Sequence, residues 1–198
     1  MPDRPDLTAL IGSRICHDLI SPIGAIGNGV ELLMMDGATK GPEVALIAES
    51  VANANARIRF FRVAFGAAGQ DQRVGRPELL SILDDVTRGG RLQVGLTCAP
   101  EIARREAKLA FLALMCCETA MAFGGRVAIE RGSTRWTVNG TANRLRIDPA
   151  LWEVLSNPHA AIEITPAQVH FALLAEELSR QGRRLTVELR EAEVRMGF

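Results

Sequence analysis

The chain is expected to be an α+β protein of two domains, an antiparallel helical hairpin followed by a helix-on-sheet sandwich. Three observations lead there. An apolar stripe with helical period runs from Ile11 to Leu33, and a strict seven-residue repeat runs from Val44 to Phe65. Beyond a polar break, short apolar stretches alternate with Gly-Ser and Asn-Gly turns. The 198 residues suffice for a core in each part, and the division falls at residues 1–69 for the hairpin, 70–76 for a linker and 77–198 for the second domain.

The first helix is expected from about Asp6 to Met35, with Asp6 or Thr8 as its N-cap. At roughly 100° per residue, Ile11, Ile15, Leu19, Ile23, Ile26, Val30 and Leu33 fall opposite His17, so the imidazole faces outward. The stripe around His17 carries Leu10, Ser13, Arg14, Ser21, Gly24, Asn28 and Glu31, mostly small or polar groups that let another backbone come close. Pro22 removes the amide that would bond back to Asp18 and should bend the helix there, at a cost of about 3 kcal/mol in an ordinary helix. Gly24, Gly27 and Gly29 loosen the stretch further, either for close helix packing or for the bend itself.

Residues 36–42, DGATKGP, read as a turn, and Pro42 suits the start of a second helix. In that helix Val44, Ile47, Val51, Ala54, Ile58, Phe61 and Phe65 step alternately by three and four, a coiled-coil-like seam. Two such helices leave half of each apolar stripe wet unless a second copy completes a four-helix bundle, so a homodimer is expected. After the polar stretch 67–77, the order is a helix from Pro77 to Thr87, a strand from Arg91, and a buried helix from Glu101 to Phe123 around AFLALMCC. Strands follow at Arg126 to Glu130, Arg135 to Asn139 and Arg144 to Ile147, then a helix from Thr165-Pro166 to Arg180 and a strand from Leu185.

Lys and Arg together equal Asp and Glu at 23 each, so composition gives no general attraction to nucleic acid or an anionic membrane. Cys16, Cys98, Cys116 and Cys117 lack paired zinc spacing, which points to a reduced, cytoplasmic setting and no bound metal. Cys16, Cys116 and Cys117 read as small apolar groups, and His159 and His170 as structural. No uncharged run reaches the length of a membrane span.

The stretch ICHDLISPIGAIGNGVELL, with its specific residues from Cys16 to Leu33, resembles the phosphoacceptor helix of the ChpT-type histidine phosphotransferases. In architecture the whole chain resembles the dimerisation and ATPase-like halves of a sensor histidine kinase. The resemblance implies that His17 takes a phosphoryl group from a receiver-domain aspartate and returns it to another, in a two-component phosphorelay. Its partners would be the receiver of a hybrid kinase and those of response regulators, which bring the magnesium. Asp18 would orient the imidazole, with acid-base help second, while Arg14, Ser21, Pro22, Gly24 and Asn28 would line the docking strip. Arg14 and Asp18 also have a plain reading as surface charge.

The second domain departs from a true kinase. Cys116 stands near the place of the asparagine that holds magnesium in kinases, and NGTANRLRIDP replaces the Asp-x-Gly-x-Gly that grips adenine. Asn157-Pro158-His159 is no glycine-rich phosphate loop. The domain is therefore expected to be a degenerate ATPase-like sandwich that binds neither ATP nor another cofactor. Two alternatives stay open: an ATP-dependent kinase acting on His17, and a dimeric receiver-docking adaptor that accepts no phosphate.

Overall fold

The computed structural model describes residues 11, 14–15, 18–19, 22–26, 28–29, 32, 42–66, 68–69, 71–157 and 162–198. The expected caps Asp6 and Thr8, together with Cys16, His17, Ser21, Gly27, the turn residues 36–41 and His159, lie outside them. Every described residue between 11 and 32 is helical, Pro22 included. Helix α1 spans Pro42–Ala64, with Glu43 in its first turn and Arg62 in its last, charges that complement the helix dipole. Asp18 lies beside Arg57, and Gly29 lies against Ile47. Those two contacts make the pair antiparallel.

A β-carbon on Gly29 would collide with the Ile47 side chain, so the absent side chain is what lets the helices approach. Gly24 is exposed, with open space where a side chain would go. Gly24 and Gly29 thus have different surroundings, and of these two close packing belongs to Gly29.

Strand β1 (Arg73–Gly75) pairs antiparallel with β3 (Glu101–Ala103), with Val74 opposite Ile102. Between them lie α2 (Arg76–Thr87) and β2 (Leu92–Thr97). Helix α3 (Arg104–Ala120) then leads to the hairpin β4 (Gly125–Arg131) and β5 (Trp136–Thr141). A short α4 (Pro149–Glu153), a 3-10 turn (Pro166–Gln168), α5 (Val169–Arg180), β6 (Thr186–Leu189) and β7 (Glu193–Gly197) complete the chain. The main sheet runs β2-β4-β5-β7-β6, parallel at β2/β4 and antiparallel elsewhere.

Alternation along the strands divides the sheet into two faces. Val127, Ile129, Trp136, Val138, Val194 and Met196 are buried on one, while Arg126, Glu130, Thr141, Glu188 and Arg195 are exposed on the other. Helix α3 is apolar nearly all round and buried from Ala107 to Cys117, as a helix between other elements must be. Cys117 packs over Gly140, where a side chain would collide with Met121. Burial raises the Cys117 thiol to about 12 and pushes Cys116 up as well, so both stay protonated, in keeping with their expected role as small apolar groups.

Four expectations need correction. The linker 70–76 contains β1, since Val74 is apolar and finds Ile102 as a partner. The last turns of α1 belong to the core of the second part: Phe60 stacks on Phe111 at 4.8 Å, and Arg104 and Lys108 donate to the Val63 and Gly66 carbonyls. The helix expected from Glu101 to Phe123 begins only at Arg104, after β3, and ends at Ala120. Residues 144–147 form no strand, because β7 occupies the place beside β5 and the Arg146 amide bonds to Ala120 instead. Strand β7 itself was absent from the expectation.

The Thr165 cap was legible. Its side chain and Gln168 form a reciprocal capping box that starts the 3-10 turn leading into α5.

Candidate functional site

Asp18 is tied down by its neighbours. Arg14 Nε lies 2.8 Å from Asp18 Oδ2, one turn along the helix, and Arg57 Nη1 approaches the same oxygen at 3.9 Å. An arginine placed before its acid is the weaker order for such a pair in an isolated helix. Here a tertiary contact supports it: Arg14 Nη1 donates to the Ala167 carbonyl at 3.2 Å, across 153 positions of sequence. The Asp18 side chain keeps only 9% of its surface exposed.

Beneath this pair α3 and α5 meet through Thr119 and His170. Thr119 Oγ1 donates to the Met115 carbonyl and lies 3.0 Å from His170 Nε2. Because the hydroxyl has one proton and gives it to Met115, the imidazole donates from Nε2. Burial, reinforced by the charge of Arg14, lowers the His170 pKa to about 3 and keeps the ring neutral. Glu118, next to Thr119, has exposed surface, yet packing around its carboxyl raises its pKa. Arg57 and Arg14 oppose that shift and Asp18 adds to it.

The structure therefore brings Arg14 and Asp18 together and adds Arg57, Glu118, Thr119, Ala167 and His170 to them. This corrects the expectation of Arg14 as an outward docking group, because its guanidinium is turned to Asp18 and to the second part of the chain. Asp18 is likewise drawn inward. Gly24 and Asn28 are exposed, and Pro22 is half-buried. His17 and Ser21 lie outside the described residues. Nothing local in the sequence marked Arg57, Glu118 or Thr119, since their relation to Asp18 is made by tertiary packing. Among the described residues no group of three His, Cys, Asp or Glu side chains could hold a metal ion, and no helix is long and apolar enough to cross a membrane.

The family described as histidine phosphotransferase C-terminal domain matches residues 76–193, the part that carries Thr119, Ala167 and His170. The protein phosphotransferase ChpT of Brucella abortus (strain 2308) is 34% identical over 180 residues, covering 87% of this chain and 86% of that protein. This chain belongs to the histidine phosphotransferase family. A solved structure of a bacterial phosphotransferase superimposes with a TM-score of 0.83 at 29% identity, covering 100% of this chain and 97% of that one. The likeness to that phosphotransferase thus extends over the hairpin as well as the family-matched part.

Cys116 is a fully buried thiol in the apolar core of this part of the chain.

Proposed function

We propose that His17 carries a phosphoryl group between aspartates of receiver domains in a two-component phosphorelay. The observation that supports this most is the anchoring of Asp18, the residue after His17, by Arg14 to the Ala167 carbonyl of the family-matched part. A helix turn held at two points loses little orientational freedom when a partner docks. In the forward step a neutral imidazole nitrogen attacks the phosphorus of a phospho-aspartate, an N–P bond forms, and the acyl O–P bond breaks to leave the receiver's carboxylate. The second receiver reverses these bonds. Phosphoryl transfer of this kind rests on positioning and charge neutralisation, and the receiver supplies the magnesium.

The assembly is a homodimer. Val44, Val51 and Ile58 recur every seven residues along α1 and remain exposed in the single chain, Val51 at 41% and Ile58 at 49%, while Ile23 is 57% exposed on the partner helix of the hairpin. A seam of this kind is covered when two hairpins pair as a four-helix bundle. The exposed Gly24 and Asn28 then serve receiver docking.

Incubation with a phosphorylated receiver tests the proposal. The chain should acquire acid-labile, alkali-stable label that is lost in His17→Ala while the variant stays folded. Absence of label across a panel of receivers would support the adaptor, and transfer from labelled ATP to His17 would support the kinase.

A further inference from the structure

At one end of the main sheet, well separated in sequence from the hairpin, three arginines surround a cleft of about 720 Å³. Arg91 precedes β2, Arg126 is the second residue of β4 and Arg144 follows β5. All three are exposed. The one carboxylate lining the cleft, Glu193, is engaged by Arg190 at 3.0 Å. Among the described residues no carboxylate pairs with Arg91, Arg126 or Arg144. Arg126 instead donates to the neutral Gln93 at 3.0 Å. In a chain with no net charge, this leaves a local excess of positive charge in a concave site of ligand size.

The backbone builds the arrangement. Gly124 and Gly125 have φ of +93° and +150°, and the Gly125 amide donates to the Arg91 carbonyl at 3.0 Å. A β-carbon on Gly124 would collide with Arg91, so glycine is what lets the start of β4 come up against Arg91. Phe123 is 59% exposed, and the Arg144 guanidinium lies over its ring, 5.5 Å from the centroid. That contact holds Arg144 at the rim.

We propose that this cleft binds a small molecule bearing a polyphosphate chain. Guanidinium groups suit phosphoryl oxygens because they offer paired donors and keep their charge. Their origin in three separate segments around a wide cleft suits several linked anionic groups better than one. The chain could be free or the tail of a nucleotide, and Phe123 distinguishes the two because its exposed ring is a stacking surface for a base.

The test is calorimetric titration of the full chain with sodium tripolyphosphate and, separately, with ATP. Saturable binding is expected for tripolyphosphate, weakened about tenfold or more in Arg126→Ala and in Arg144→Ala, by loss of one charge-assisted contact each. Arg62→Ala, an exposed arginine on α1, should leave it unchanged. Equal affinity for the two probes identifies the chain alone as the ligand; tighter ATP binding, with the advantage lost in Phe123→Ala, identifies a nucleotide. Absence of saturable binding, or binding that ignores both cleft arginines or falls equally in Arg62→Ala, overturns the proposal. Circular dichroism of each variant confirms that the fold persists. Labelling of His17 by a receiver is a separate measurement, so either result can fail without the other.

Discussion

Arg104, the first residue of α3, donates from Nη1 to the Val63 carbonyl at 2.8 Å, across 41 positions of sequence. A second bond runs from its Nη2 to the Arg62 carbonyl, and Lys108 Nζ reaches Gly66 at 3.2 Å. Helix ends leave carbonyls without intrahelical partners, and cations there also complement the dipole. The end of α1 is therefore fastened to the start of α3 by charge as well as by the Phe60–Phe111 stack. The hairpin and the sandwich share one core.

Arg104→Ala should destabilise the chain by about 2–3 kcal/mol, because one buried and one part-buried carbonyl lose a charged donor. Urea unfolding would show the loss as a lower midpoint, and a single transition would persist if hairpin and sandwich unfold together. Arg104→Lys, which keeps the charge but has one amine in place of a fork, should recover part of the loss.

That joint was illegible in the sequence, whereas the elements on either side of it were largely legible. The heptad in α1, the apolar centre of α3 and the Thr165-Pro166 start each express local period or cap chemistry. Strand β7 was hidden because EVRMG offers only two inward positions, Val194 and Met196. The stretch at residues 144–147 alternates like a strand, yet the tertiary competition for the edge of β5 decides otherwise. In the site, Arg14 and Asp18 stood out by spacing from His17. Their inward turn depends on Ala167 and Arg57, which no periodicity connects to them.

Acid should weaken the fold through His170. Its folded pKa is about 3, against about 6.5 when unfolded, so the unfolded chain takes up a proton that the folded chain refuses. Above pH 6.5 the group is neutral in both states and contributes no pH dependence. As pH falls from 6.5 to 5, stability should decline by about 2 kcal/mol from this group. His170→Gln, which keeps a side-chain donor toward Thr119, should flatten the curve in that window. Chemical denaturation at a series of pH values measures it, and an unchanged slope in the variant would show that other groups are responsible.

Gly29→Ala should separate the helices of the hairpin, since its new methyl meets Ile47. The expected cost is about 1–3 kcal/mol by overpacking. Ile47→Val in the same chain removes a methyl from the point of collision and should restore part of the stability. A double-mutant cycle by thermal unfolding gives the coupling; simple additivity would place the strain elsewhere.

Val51→Glu and Ile58→Glu place charge on the exposed seam of α1. Both residues are already open to solvent in the single chain, so the fold should tolerate the changes within about 0.5 kcal/mol. Two charges buried without partners in a bundle are far less tolerable. Sedimentation equilibrium should therefore give a dimer for the parent chain and a monomer for the double variant, with helical content largely kept.

The Arg14–Asp18 pair separates positioning from stability. Both side chains are largely shielded from solvent, Arg14 at 18% and Asp18 at 9% exposure, but Asn keeps the size and one acceptor oxygen of Asp, so Asp18→Asn should cost about 1 kcal/mol in unfolding experiments. Its effect on phosphotransfer should be larger, because an imidazole turned from the line of attack loses roughly tenfold or more in rate. Arg14→Ala should act in the same direction, and combining it with Asp18→Asn should add little, since one contact is removed by either change. Rapid-quench measurement of label passing from a phosphorylated receiver decides this. Equal losses in rate and stability would make the pair a structural brace only, and a full rate in Asp18→Asn would assign the orientation of His17 to groups other than the carboxylate.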